Sequence, residues 1–176
     1  MEPPPSNYFD FFGLPHKLNL DSKDLESRFY ALSRQWHPDR FARAGPDERR
    51  VSEDATATLN DGYRTLREPV ARAEYLLKEH GFDIAEKKSN NAPPELLEEV
   101  FELNMALEEA ESSRPQLEAA RRKFIGMREE IDRELVAKFA AYDASRDQAA
   151  LEKIRGILNR RKYIRNLVNQ VEKALA

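Results

Sequence analysis

Apolar residues recur at helical spacing along most of the chain, and the runs break at prolines and glycines. Leu25, Phe29, Leu32 and Trp36 stand at i, i+4, i+7 and i+11, which places all four on one narrow face of a helix that Asp21 or Ser22 can cap. The run stops at His37, because Pro38 pushes the residue before it out of the α region. Upstream, Tyr8 to Gly13 predicts a short helix that gathers Phe9, Phe12 and Leu14 and is cut by Pro15. After a loop to Gly45, Pro46 suits the first turn of a third helix with Val51, Ala55, Leu59, Gly62 and Leu66 on its apolar face. Pro69 ends that helix and opens a fourth, where Val70, Ala73 and Leu76 or Leu77 form one stripe and Gly81 sits at a left-handed C-cap.

From 82 to 94 the chain reads FDIAEKKSNNAPP, and no helical period fits it. This segment predicts a linker, open to proteolysis near Lys87 to Pro93, between a domain of residues 1–81 and a second of residues 95–176. Three longer helices follow. They run from Glu95 to Glu111, from Arg114 to Tyr142 behind a Ser113-x-x-Gln116 capping box, and from Asp147 to Leu175 behind Ser145-x-x-Gln148. Leu117, Ala120, Phe124, Met127, Ile131 and Leu135 alternate steps of three and four, the seam spacing of a bundle. The expected fold is all-α: a helical hairpin domain followed by a three-helix bundle.

Composition agrees, with 35% charged residues and only 6 glycines. Lys+Arg 29 against Asp+Glu 32 leaves a net charge of -3, so no overall field draws the chain to nucleic acid or an anionic membrane. The two RRK clusters, Arg121 to Lys123 and Arg160 to Lys162, read as solvated helix faces. The absence of cysteine removes disulfides, thiolate metal sites and thiol nucleophiles. With no signal-like start and no run of membrane-spanning length, a soluble cytoplasmic protein is expected.

The candidate chemistry is His37-Pro38-Asp39. One reading is a plain helix stop, with Asp39 making a local turn hydrogen bond. A hydrolase reading makes His37 a general base oriented by Asp39, but it needs a nucleophile or a substrate cleft. No phosphate loop or metal-ligand cluster accompanies the tripeptide, and His16 and His80 stand apart, so neither metal nor cofactor is expected.

The surroundings of the tripeptide narrow the choice. A short helix, a long helix bearing Leu25, Phe29, Leu32 and Trp36, the loop WHPDRF and a return helix together resemble the J domain of DnaJ-type co-chaperones. That resemblance implies that His37, Pro38 and Asp39 contact a DnaK-class chaperone and stimulate its ATPase. It also implies a basic docking face, for which Lys23, Arg28, Arg34 and Arg40 are available. Tyr30 and Ala31 fall where many J domains carry Lys or Arg, which makes this face less basic.

A second site follows from the residues of the bundle. In the helix from Glu95, the stripe Leu96, Val100, Leu103, Leu107 and Ala110 is a complete core face at 100° per residue. Leu97, Phe101 and Met105 make a surplus row, flanked by Glu98, Glu102 and Glu109 in a segment with seven glutamates and no Lys or Arg. This combination suits a partner with an apolar patch ringed by basic groups, unless the row is a second core contact. On the last helix, Tyr163 lies off the apolar stripe and reads as an exposed aromatic.

The stretches HPDRF, LREPVARAEYLL and FELNMALEEAES, in that order, resemble the HscB family of J co-chaperones, and the likeness runs from about Tyr8 to Leu175. It implies a non-enzymatic adaptor that delivers an IscU-type iron–sulfur scaffold to an HscA-like or DnaK-class ATPase. Scaffold-binding positions carry over to Leu97, Phe101, Glu102, Met105 and Tyr163, with Glu98 and Glu109 beside them; Glu98 and Met105 depart from common family residues. Eukaryotic members add an amino-terminal Cys-x-x-C segment that is missing here, which implies the bacterial type. Two alternatives stand: a J co-chaperone with another client, and a helical adaptor in which His-Pro-Asp is only a turn.

Overall fold

The structure is a computed structural model and describes residues 2–82 and 93–176. All regular elements among these residues are helical: α1 (Tyr8–Phe12), α2 (Ser22–Trp36), a 3-10 turn (Pro38–Phe41), α3 (Pro46–Arg67), α4 (Pro69–Glu79), α5 (Pro94–Ala110), α6 (Arg114–Ser145) and α7 (Gln148–Leu175). They fall into two compact units, Met1–His80 and Gly81–Ala176. Most of the expected linker, residues 83–92, lies outside the described residues.

In the N-terminal unit the helix starts follow from local chemistry. The Asp21 carboxylate accepts from the backbone N–H groups of Lys23 (2.8 Å) and Asp24 (3.3 Å), while Pro46 and Pro69 occupy first turns whose N–H would go unused. Gly13 and Gly81 end α1 and α4 with φ of 60° and 81°, the left-handed region. The core gathers Phe9, Phe12, Leu18, Leu25, Leu59, Leu66, Ala73, Leu76 and Leu77 around α3, which packs on α1, α2 and α4. Gly62 permits the approach of α1, since a Cβ there would stand 3.0 Å from Phe12 and 3.1 Å from Tyr8. One expected core position is displaced. Val51 is half-buried, and the neighbouring Ser52 is the buried residue, because its hydroxyl has a partner on α2.

The C-terminal unit is a three-helix bundle around Leu103, Leu107, Leu117, Phe124, Ile131, Leu135, Leu151, Ile154, Leu158, Ile164, Val168 and Val171. Ion pairs fix its antiparallel order: Arg161 with Asp132 (2.5 and 3.2 Å) and Arg121 with Glu172 (3.4 Å) join α7 to α6. Arg160 grips the Glu99 carboxylate of α5 with two nitrogens (2.9 and 2.7 Å), and this hydrogen bonding raises the guanidinium pKa further. The second RRK cluster is therefore partly internal bracing and not only a solvated face.

Both expected capping boxes are corrected. Ser113 is the N-cap of α6 but makes no side-chain capping bond. Ser145 belongs to α6, which ends at Arg146 in the left-handed region (φ 57°), and Asp147 caps α7 by accepting from the Ala149 N–H at 3.1 Å. A short carboxylate reaches the next turn's N–H from Asp147, so the serine is not needed there.

Candidate functional sites

The first site is the turn after α2. Trp36 is buried, with its ring edge-on to Phe11 at 6.3 Å, and its carbonyl accepts from two α3 hydroxyls, Ser52 Oγ at 2.7 Å and Thr56 Oγ1 at 3.1 Å. These bonds satisfy one of the orphan carbonyls at the helix end, and they pin the backbone immediately before the tripeptide. His37 then turns out of the helix (φ -59°, ψ 128°), as Pro38 requires. Its carbonyl accepts from the Arg40 N–H at 3.0 Å and its Nδ1 accepts from the Asp39 N–H at 3.2 Å. The Asp39 carboxylate stands 3.6 Å from Nδ1, and the two side chains are 57% and 91% exposed.

The geometry argues against a catalytic pair. A carboxylate that orients a general base accepts from its Nδ1–H, whereas here the Asp39 carboxylate stands 3.6 Å from Nδ1, outside hydrogen-bond reach, with both side chains largely in solvent. A shallow depression of about 280 Å³ adjoins the ring, lined by Tyr30, Ser33, Arg34, His37 and Arg40. No hydrogen bond among the described residues joins the Ser33 hydroxyl to His37. No group of three His, Cys, Asp or Glu able to hold a metal occurs among the described residues, and no helix there is long and apolar enough to cross a membrane.

The expected basic face is unevenly built. Arg34 is exposed on the last turn of α2, and Arg40 folds back so that one guanidinium nitrogen donates to the Arg34 carbonyl at 3.3 Å. Arg28 is already engaged within the fold. Its Nη1 donates to the carbonyls of Phe12 (3.0 Å) and Gly13 (2.9 Å) and its Nε to both oxygens of Asp24 (3.0 Å each), so it straps the end of α1 to α2.

The second site is the outer face of α5. Leu96, Leu103, Leu107 and Ala110 are buried as the stripe requires, with Val100 half-buried at its edge. Leu97, Phe101 and Met105 are 51%, 65% and 46% exposed, so the surplus row is not packed into the core of its own bundle. Glu98, Glu102 and Glu109 are exposed beside it. Tyr163 differs from expectation: it is half-buried on α7, and no ring contact among the described residues joins it to Phe101. Sequence reasoning missed the Tyr30 depression and the Glu99–Arg160 bracket. Tyr30 was visible as an aromatic on a polar face, whereas the bracket needs the packing of α5 on α7.

A capped helical hairpin displaying an exposed His-Pro-Asp, followed in the chain by a three-helix bundle, defines the J-domain co-chaperone class with a separate C-terminal helical domain. Residues 92–172 match the family model described as the HSCB C-terminal oligomerisation domain. A curated relative, the "Co-chaperone protein HscB homolog" of Vibrio atlanticus (strain LGP32), is 43% identical over 111 residues, 62% of this chain and 65% of its own length. Among solved structures, "Chaperone HscB from Vibrio cholerae" is similar at 32% identity with a TM-score of 0.67, covering 95% of this chain and 96% of that one. Human co-chaperone protein HscB is similar at 27% identity with a TM-score of 0.76, covering 98% and 85%. The chain belongs to the HscB co-chaperone family.

Proposed function

We propose that this protein is an adaptor of iron–sulfur cluster assembly. It binds an IscU-type scaffold through α5, presents it to an HscA-like or DnaK-class ATPase, and stimulates that ATPase through His37, Pro38 and Asp39, which promotes cluster transfer. The observation that carries this reading is the joint display, on one chain, of a polar turn pinned from behind and an apolar row with no partner in its own bundle. A rigid turn enters a partner's hydrogen-bond network with little ordering cost, because its backbone is already fixed. The apolar row supplies burial, and its glutamates favour a basic rim on the scaffold. Family membership supports the same reading, and no chemical step is assigned to the chain itself.

The test is a steady-state ATPase assay on a DnaK-class chaperone with parent and His37→Gln proteins. The variant is expected to abolish stimulation while its thermal midpoint stays close to the parent's, since the exposed imidazole contributes little to packing. Normal stimulation by a folded His37→Gln protein would reject the reading.

A further inference from the structure

The chain has no cysteine and three methionines, so its thioethers are the groups that a peroxide attacks most readily. Met1 lies outside the described residues. Access decides which of the other two sulfurs reacts first: Met127 is half-buried on α6, whereas Met105 is 46% exposed on α5, one turn past Phe101. The neighbours of Met105 decide what oxidation does there. One turn away on either side stand Phe101, Glu102, Glu108 and Glu109, all exposed. An ionised carboxylate only accepts hydrogen bonds and a phenyl ring has no N–H or O–H, so none of the four can donate to a sulfoxide oxygen. The adjacent Asn104 is turned elsewhere, its Nδ2 donating to the Val100 carbonyl at 2.7 Å. A sulfoxide at Met105 therefore enters an apolar contact with its oxygen unpaired by its own chain, which costs more than the lost burial alone.

We propose that Met105 is an oxidation site, and that its sulfoxide switches off the apolar row of α5 and releases the client. The proposal rests on the reading of α5 as the scaffold-binding face. In the forward step a lone pair of Met105 Sδ attacks one oxygen of hydrogen peroxide. The O–O bond breaks as the S–O bond forms, sulfur gives up two electrons, and the other oxygen leaves with both protons as water. The return step is reduction by a thiol-dependent reductase, which consumes two thiols and yields the thioether, a disulfide and water, so the switch is reversible. One oxygen atom thus makes the end of the row polar, while Leu103 and Leu107 on the core side are untouched.

The experiment treats full-length parent and Met105→Leu proteins with dilute hydrogen peroxide, removes the peroxide with catalase, and titrates an IscU-type scaffold calorimetrically beside untreated samples. Peptide mapping is expected to find Met105 oxidised several-fold faster than Met127. The scaffold affinity of the parent should fall roughly tenfold on treatment, as loss of an interface anchor does, and return after incubation with the two methionine sulfoxide reductases, one for each epimer, and a dithiol. In Met105→Leu, whatever its starting affinity, treatment should change binding by less than about twofold. The thermal midpoint of the treated parent should match that of the untreated. The proposal is overturned by oxidation at Met127 as fast as at Met105, by unchanged affinity of the oxidised parent, by a tenfold fall that persists in Met105→Leu, or by a lowered midpoint, which would place the damage in the core. An untreated Leu97→Ala, Phe101→Ala double variant separates the two readings. If it binds with parental affinity, the scaffold face has failed and the switch with it; if it binds weakly while the oxidised parent binds normally, the switch alone has.

Discussion

At the His37 turn the displayed groups are polar and sit where regular structure ends, whereas the row on α5 is apolar and sits in the middle of a regular helix. The turn at His37 needs Pro38, the Asp39 N–H and two hydroxyls from α3 to hold its shape. The row on α5 needs only helical periodicity, because Leu96, Leu103 and Leu107 anchor the opposite side. Directional contacts thus depend on many local bonds, while an apolar contact depends on area. Substitutions at the first surface therefore act through geometry, and at the second through how much side chain is left to bury.

The largest expected effect on this contrast is at α5. Leu97→Ala combined with Phe101→Ala is expected to weaken scaffold binding by on the order of a hundredfold or more, given roughly 1.5 to 3 kcal/mol for each buried side chain. Basal stimulation of the chaperone and the thermal midpoint should both hold, whereas Leu103→Ala, one turn away on the core side, should cost about 2 to 5 kcal/mol of stability. Calorimetric titration with the scaffold and a thermal melt separate the two; unchanged affinity would remove the client face, and a large stability loss in the double variant would make the row structural.

Arg28→Ala sharpens the comparison from the other side. Losing the bonds to the Phe12 and Gly13 carbonyls is expected to destabilise the N-terminal unit by about 1 to 3 kcal/mol in urea unfolding. An Arg28→Ala protein of parental stability that docks poorly would instead return this residue to the chaperone face.

The smallest effect concerns Tyr75, whose hydroxyl accepts from the Tyr8 N–H at 3.1 Å while the two rings stack at 4.6 Å. Burial raises its pKa to about 12, with the Glu79 charge adding to the rise and the Tyr8 hydrogen bond opposing it. Between roughly pH 10 and 12 the unfolded chain has lost this proton and the folded chain keeps it, so stability falls as pH rises through that window. Tyr75→Phe should flatten this alkaline decline in urea unfolding relative to parent. An identical slope in both proteins would mean that Tyr75 does not titrate there.

Much of this was legible in the chain because the signals are local. Asp21, Pro38, Pro46 and Gly81 act on their own backbone neighbourhood, and the stripes on α2, α5 and α6 mark the packed faces, although Phe29, Leu32, Val100, Ala120 and Met127 on them are only half-buried. Several features that the sequence did not show share one cause, a partner distant in sequence. Ser52 is buried because of the Trp36 carbonyl 16 residues away, Arg28 is occupied by carbonyls of α1, and Arg160 by a glutamate 61 residues back. Ser113 fits a motif but makes no capping bond, and Ser145 accepts from the Asp147 N–H (3.2 Å) as the last residue of α6 without capping α7, since motif spacing cannot tell whether a helix continues through it. The row of Leu97, Phe101 and Met105 was readable because it violated the expected pattern.

The double hold on the Trp36 carbonyl has an evolutionary corollary. Both anchors, Ser52 and Thr56, lie on α3, and the tripeptide begins one residue after the anchored group. Its aim is therefore inherited from the junction of two helices and not from the stretch between Ala42 and Gly45. Selection is expected to tolerate changes in the length and composition of that stretch, starting two or three residues past Asp39, and to hold tight at the two hydroxyl positions that aim the imidazole and carboxylate from behind.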